Sequence, residues 1–172
     1  TVLVAAGAYS TSGSGEVFPL DITTAGVTLI GAGMGVSVLD AEGQGSVLRM
    51  RAPNARVEGF TLTGNASSHL NGGALNLEAS TAVRCIVRDN SGLGVYSYVA
   101  TLKNCTIVGP GPGINVEFFS AITLRGTIRR RLTDDASTGP IAVEKNRVAY
   151  PKGNEVVVID PEIHLAQDGR AF

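Results

Sequence analysis

Two carboxylates, Glu78 and Glu117, close two short alternating segments, LNLE (75–78) and INVE (114–117). A third segment of the same pattern, VYSY (95–98), lies between them. In an extended strand, side chains alternate between the two faces. If Leu75 and Leu77, Val95 and Ser97, and Ile114 and Val116 point inward, their neighbours point outward. One outward row is then Asn76, Tyr96 and Asn115, and the next is Glu78, Tyr98 and Glu117. Amides, carboxylates and tyrosine rings side by side suit a sugar, which stacks on the rings and hydrogen-bonds to the polar groups. With one intervening strand, the two glutamates stand about 9–10 Å apart. Inverting glycosidases hold their carboxylates roughly 6.5–9.5 Å apart, so the spacing permits such a pair without specifying it. The plainest account of the same rows is a solvated sheet face. A sugar-binding face and a catalytic pair are the two functional alternatives.

Other residues offer less. A lyase mechanism needs several acidic ligands for calcium with a basic residue beside them. Arg84, Arg88, Lys103 and Arg125 are the candidate bases, and Asp89 is the one acid read beside them. Calcium takes six to eight oxygens, so that set is too small. His69 and His164 lie far apart with no serine or cysteine motif nearby, which leaves a triad unsupported. Asp40 in SVLDAEG reads as a turn residue. GAGMG (31–35) has no helix pattern after it and therefore no phosphate loop. Asn65-Ala66-Ser67 matches a glycosylation sequon, a weak signal by itself. Cys85 and Cys105 lack zinc-site spacing. They fall on equivalent positions of successive repeats, where a disulfide is permitted and a stacked pair of buried free thiols is the favoured reading. No metal site and no cofactor are read.

The chain repeats itself at about twenty residues. GFTL (59–62), RCIV (84–87), NCTI (104–107) and RGTI (125–128) form one family. GGALNL (72–77), GLGVYSY (92–98), GPGINVE (111–117) and TGPIAVE (138–144) form another, and the two alternate. Leucine-rich repeats have a similar length but need a leucine and asparagine consensus that is missing here. A parallel β-helix needs two or three short strands per coil, each stacked on its equivalent about 4.8 Å away. The inward stacks then read Phe60–Cys85–Cys105–Gly126 and Leu62–Val87–Ile107–Ile128, beside Leu75–Val95–Ile114 and Leu77–Ser97–Val116. Asn65 and Asn90 occupy equivalent corners, where asparagine tolerates a left-handed backbone.

Composition agrees. The 172 residues carry 22 glycines and no tryptophan, and 44% are hydrophobic, enough for one domain with a sizeable core. A net charge of −1 gives no reason to expect nucleic acid as partner. No apolar run is long enough for a transmembrane helix, and no charged start leads into an apolar stretch as in a signal peptide. TVLVAAG already reads as a strand, so a processed or excised piece is expected.

The segments TVLVAAGAYS, GEVFPLDI, GVTLIGAG and SVLDAEG closely resemble the opening of bacterial pectate-lyase-like, right-handed parallel β-helix domains. The nearer likeness is to a group of these without an assigned function. The resemblance covers about residues 1–128 and implies the fold. It also implies an extracellular or cell-surface location. It does not choose among lyases, hydrolases, adhesins and tailspikes, which share such coils.

The fold expected is all-β, a single-stranded right-handed parallel β-helix of roughly six to eight coils. Residues 1–128 form the coils, and residues 129–172 an irregular final coil, loop and cap. Arg129–Arg131 with Asp134 and Asp135 reads as a solvated loop, and NEVVVIDPEIHL as a last strand plus a cap. The leading functional reading is a non-catalytic module that binds polysaccharide through Asn76, Glu78, Tyr96, Tyr98, Asn115 and Glu117. A polysaccharide-active hydrolase or lyase and a purely structural stalk are the alternatives. Coil faces and ends also offer surfaces for a homo-oligomer.

Overall fold

The computed structural model describes residues 1–68 and 72–110, together with the strands Ile114–Val116, Ile122–Arg125, Ile128–Arg131, Ala142–Glu144, Arg147–Ala149 and Glu155–Val158. Strands come in threes. The first coil holds β1 (Val2–Val4), β2 (Gly7–Ser10) and β3 (Leu20–Ile22). The second holds β4 (Thr28–Gly31), β5 (Ser37–Asp40) and β6 (Leu48–Met50), and the third β7 (Arg56–Glu58), β8 (Phe60–Thr63) and β9 (Leu75–Glu78). The fourth holds β10 (Thr81–Val83), β11 (Ile86–Arg88) and β12 (Val95–Tyr98). The fifth holds β13 (Ala100–Lys103), β14 (Thr106–Gly109) and β15 (Ile114–Val116). β16 (Ile122–Arg125) and β17 (Ile128–Arg131) begin a sixth. After them come β18 (Ala142–Glu144), β19 (Arg147–Ala149) and β20 (Glu155–Val158).

Every third strand pairs in parallel, which gives three sheets wound as a right-handed β-helix. The first sheet runs β1-β4-β7-β10-β13-β16 and continues with β20, β19 and β18, where β20 is parallel to β16 and the last two are antiparallel. The second sheet runs β2-β5-β8-β11-β14-β17, the third β3-β6-β9-β12-β15. The expected stacks of the third sheet hold residue for residue: Leu75 pairs with Val95, and Val95 with Ile114; Leu77 pairs with Ser97, and Ser97 with Val116. In the second sheet Leu62, Val87 and Ile107 stack as expected. Ile107, however, faces Arg129, and Ile128 faces Thr106, so the expected Ile107–Ile128 step is off by one. Arg129–Arg131, expected in a loop, continue β17, because their backbone takes up the ladder offered by β14. Gly126 lies outside the described residues.

The core is a column of small and aliphatic side chains, with Phe60, Leu48, Met50, Leu62, Leu75 and Leu77 fully buried. Covering neighbours decide burial. Val2 heads one inward stack at 50% exposed, Leu29 beneath it is 8% exposed, and Val57 below that is 0% exposed.

The corners show why so short a coil can close. Successive coils place a left-handed residue at the same step of the ladder: Gly59, Arg84 and Asn104 between the first and second sheets, and Asn54, Ala79 and Val99 on entry to the first. Gly64 and Asp89 do the same after the second sheet. Asn65 and Asn90 are therefore not the left-handed residues expected. Each follows one, and its side chain turns inward to bond the backbone. Ladder geometry outweighs residue preference at Val99, where a β-branched residue sits at φ 52° although 51% exposed. Val99→Asn removes that penalty and loses little burial. It is expected to stabilise the protein by about 1 kcal/mol, a rise of roughly 2–4 °C in melting temperature. Val99→Ile should show no gain. Thermal denaturation of the two variants checks it.

Candidate functional site

The outer face of the third sheet carries Asn76, Glu78, Tyr96 and Tyr98. Tyr96 pairs with Asn76 on one side and with Asn115 on the other, and Tyr98 pairs with Glu78. Both rows also extend into earlier coils. Asp21 pairs with Arg49, and Arg49 with Asn76, so the first row runs Asp21–Arg49–Asn76–Tyr96–Asn115. Arg51 follows Met50, the partner of Leu77, and so stands beside Glu78 in the second row. LDI (20–22) and LRM (48–50) have the same in-out-in alternation as LNL and VYS, the signal that would have added Asp21, Arg49 and Arg51.

The two rows differ in exposure. Tyr98 is 45% exposed, Arg51 is exposed and Glu78 is half-buried. Asn76 and Tyr96 point away from the core yet are buried, at 4% and 6% exposed. The nearby corner accounts for this. Asn76 Nδ2 donates to Ser46 Oγ at 3.4 Å. The Gly73 backbone lies so close that a Cβ there would stand 2.6 Å from Tyr96 N and 2.9 Å from Asn76 Oδ1. The corner thus lies over the row next to it and leaves the far row open. Asn115 is in register on β15, and Glu117 lies outside the described residues. The expected Glu78–Glu117 pair falls there with it.

Of the two described acids in the rows, Asp21 and Glu78, one is already committed. Asp21 accepts from Arg51 Nε at 3.0 Å and from its Nη2, and these bonds hold its carboxyl below the usual range. The ion pair in turn fixes the Arg51 fork beside Glu78. Among the described residues, Glu78 has no ion-pair partner.

A second charged group occupies the outer face of the first sheet. Glu58, buried at 8% exposed, receives Arg56 Nε at 3.0 Å and also the Arg84 guanidinium. The Arg56 hydrogen bond lowers its pKa most, Arg84 adds to the effect, and burial opposes it. Arg84, a candidate base in sequence, is thus committed to Glu58, an acid the sequence reading passed over. Val83 pairs with Glu58 and with Lys103, and Lys103 pairs with Arg125, so Lys103 and Arg125 fall at one step of the register. Arg88 approaches Asp89 at 3.7 Å, with both largely exposed. Asp40 accepts from Glu42 N at 2.8 Å in the turn role expected of it. Among the described residues no three His, Cys, Asp or Glu gather as metal ligands. His69 and His164 lie outside them. Cys85 and Cys105 are buried free thiols.

Among the described residues no helix is long and apolar enough to cross a membrane. No curated protein matches the chain. No solved structure matches it either. One family model, described as a protein of unknown function (DUF1565), matches residues 1–154, past the last parallel strand pair of the second sheet and into the antiparallel strands. With so much of its length matched by that model, the chain belongs to the DUF1565 family.

Proposed function

We propose that the chain is a non-catalytic β-helix module that holds a polysaccharide along the outer row Arg51, Glu78 and Tyr98. The observation that carries this reading is the exposed Tyr98 ring in line with a half-buried carboxylate and an ion-paired arginine on successive coils. Such a row repeats about every 4.8 Å on rigid strands, so little ordering entropy opposes binding. A ring face supplies apolar contact, and Glu78 and Arg51 supply an acceptor and donors for hydroxyls. The likeness of the opening coils to pectate-lyase-like domains agrees with a glycan ligand. The reading carries with it an extracellular or cell-surface location. Asn76 and Tyr96 lie beside that row under the Gly73 corner and do not touch the ligand.

Affinity electrophoresis against a panel of neutral and acidic polysaccharides tests it. Wild type should be retarded by at least one of them. Tyr98→Ala should weaken that retardation tenfold or more, as loss of an aromatic anchor does, at an unchanged melting temperature. Equal retardation of the variant, or none of wild type across the panel, rejects the reading.

A further inference from the structure

Cys85 and Cys105 sit at the same step of two successive coils, directly after the left-handed corner residues Arg84 and Asn104. Ile86 pairs with Thr106, so the two cysteines face each other one position earlier, and Thr106 N donates to Cys85 O at 2.9 Å. Both are buried, at 0% and 1% exposed, in the inward stack beneath Phe60. Cys105 Sγ lies 3.6 Å from Ala82 O of the fourth coil and 3.5 Å from Lys103 O of its own, while Cys85 Sγ lies 3.3 Å from Val83 O. Stacked residues are about 4.8 Å apart at Cα, within the span a disulfide bridges. The Cβ atoms must close to roughly 3.8 Å, an adjustment of the order of 1 Å.

We propose that Cys85 and Cys105 are a disulfide-forming pair that ties the fourth coil to the fifth. A small disulfide such as oxidised glutathione is the oxidant. The Cys105 thiolate attacks one of its sulfurs, forming a mixed disulfide and releasing one glutathione thiolate. The Cys85 thiolate then attacks the Cys105 sulfur, forming the intercoil bond and releasing the second glutathione. The two cysteines lose two protons and two electrons, and the oxidant is reduced to two thiols. The neighbouring Cys85 thiol lowers the pKa of Cys105, which suits Cys105 to the first attack. Since both sulfurs are buried, access comes through opening of the exposed Asn104 corner.

The bond would close a loop of about twenty residues that otherwise roams freely in the unfolded chain. It thus gives the same fold two stabilities, a higher one in oxidising surroundings. The full chain, purified in reductant and then held in oxidised glutathione, tests this. Intact mass should fall by two hydrogens, digestion should recover a linked Cys85–Cys105 peptide, and the melting temperature should rise by roughly 5–10 °C. Reductant should reverse all three. Cys105→Ala, treated alike, should show no rise. The proposal is overturned if the folded chain keeps both thiols while a urea-unfolded sample oxidises. Mixed or intermolecular disulfides alone, or a cross-link that leaves or lowers the melting temperature, overturn it too. Should Cys105→Ala not fold, the linked peptide and its reversal in wild type still decide.

Discussion

Phe60→Ala is expected to destabilise the protein by about 3–5 kcal/mol, among the largest effects of any single truncation in the core. Phe60 is 0% exposed, and the residues that share its stack are small: Ser37 in the coil before and Cys85 in the coil after. The ring occupies room that Gly31 leaves free, since a Cβ on Gly31 would stand 3.1 Å from Phe60 Cζ. Small rigid neighbours held by strand ladders cannot move in to fill the space, so the cavity stays open. A domain is stable by only about 5–15 kcal/mol, so the variant should melt roughly 10–15 °C lower. Phe60→Leu should recover part of the loss. Urea denaturation of the three proteins measures it, and a loss below about 1 kcal/mol for Phe60→Ala would show that the stack is not a packed core.

Asn65→Ala should cost about 2–4 kcal/mol for a different reason. Asn65 is 1% exposed, and its amide knits a corner together. Nδ2 donates to Gly72 O at 2.9 Å and to Leu93 O at 2.8 Å, and Oδ1 accepts from Ser67 N at 2.9 Å. Its backbone N donates to Asn90 Oδ1 at 2.8 Å, which links the same corner of two coils. Truncation takes the donor from the buried Gly72 carbonyl, removes one of the two donors to the Leu93 carbonyl, which keeps Ala74 N at 2.8 Å, and takes away the side-chain acceptor of Ser67 N. Asn65→Asp keeps the size but turns an oxygen toward both carbonyls, so it should be no milder than Asn65→Ala. Chemical denaturation at neutral pH distinguishes the two accounts: if the aspartate variant is as stable as wild type, shape alone holds the corner.

The coil architecture was open to reading because two signals coincide. Alternation in LNLE and VYSY says which side chains face in, and the constant interval between them says which residues stack; Leu75–Val95–Ile114 and Leu77–Ser97–Val116 follow directly. Alternation says nothing of what covers an outward residue. Asn76 and Tyr96 have the right direction for a ligand face, but the corner at Gly73 lies across them. Corner identity was also hard to see. Glycine and asparagine advertise a left-handed backbone, whereas Ala79, Arg84 and Val99 adopt it only because the coils on either side impose it. Glu58 escaped notice for a related reason. Arg56 and Glu58, two apart in RVE, share a face of their strand, but that spacing is common to any strand, and the second partner Arg84 sits at a corner of the next coil, a contact that leaves no local pattern.

The falling exposure from Val2 through Leu29 to Val57 has a consequence for how the molecule comes apart. Each coil touches only the coils before and after it, so its free energy is a sum of neighbour terms with no long-range clamp. A coil stacked on both faces, such as that of Val57 between Leu29 and Ala82, should therefore open at a higher cost than one stacked on a single face. Arg51, Glu78 and Tyr98 belong to the second, third and fourth coils, each covered on both sides. Asp21, which holds Arg51 in place, belongs to the first coil, so opening of that coil would release one end of the row.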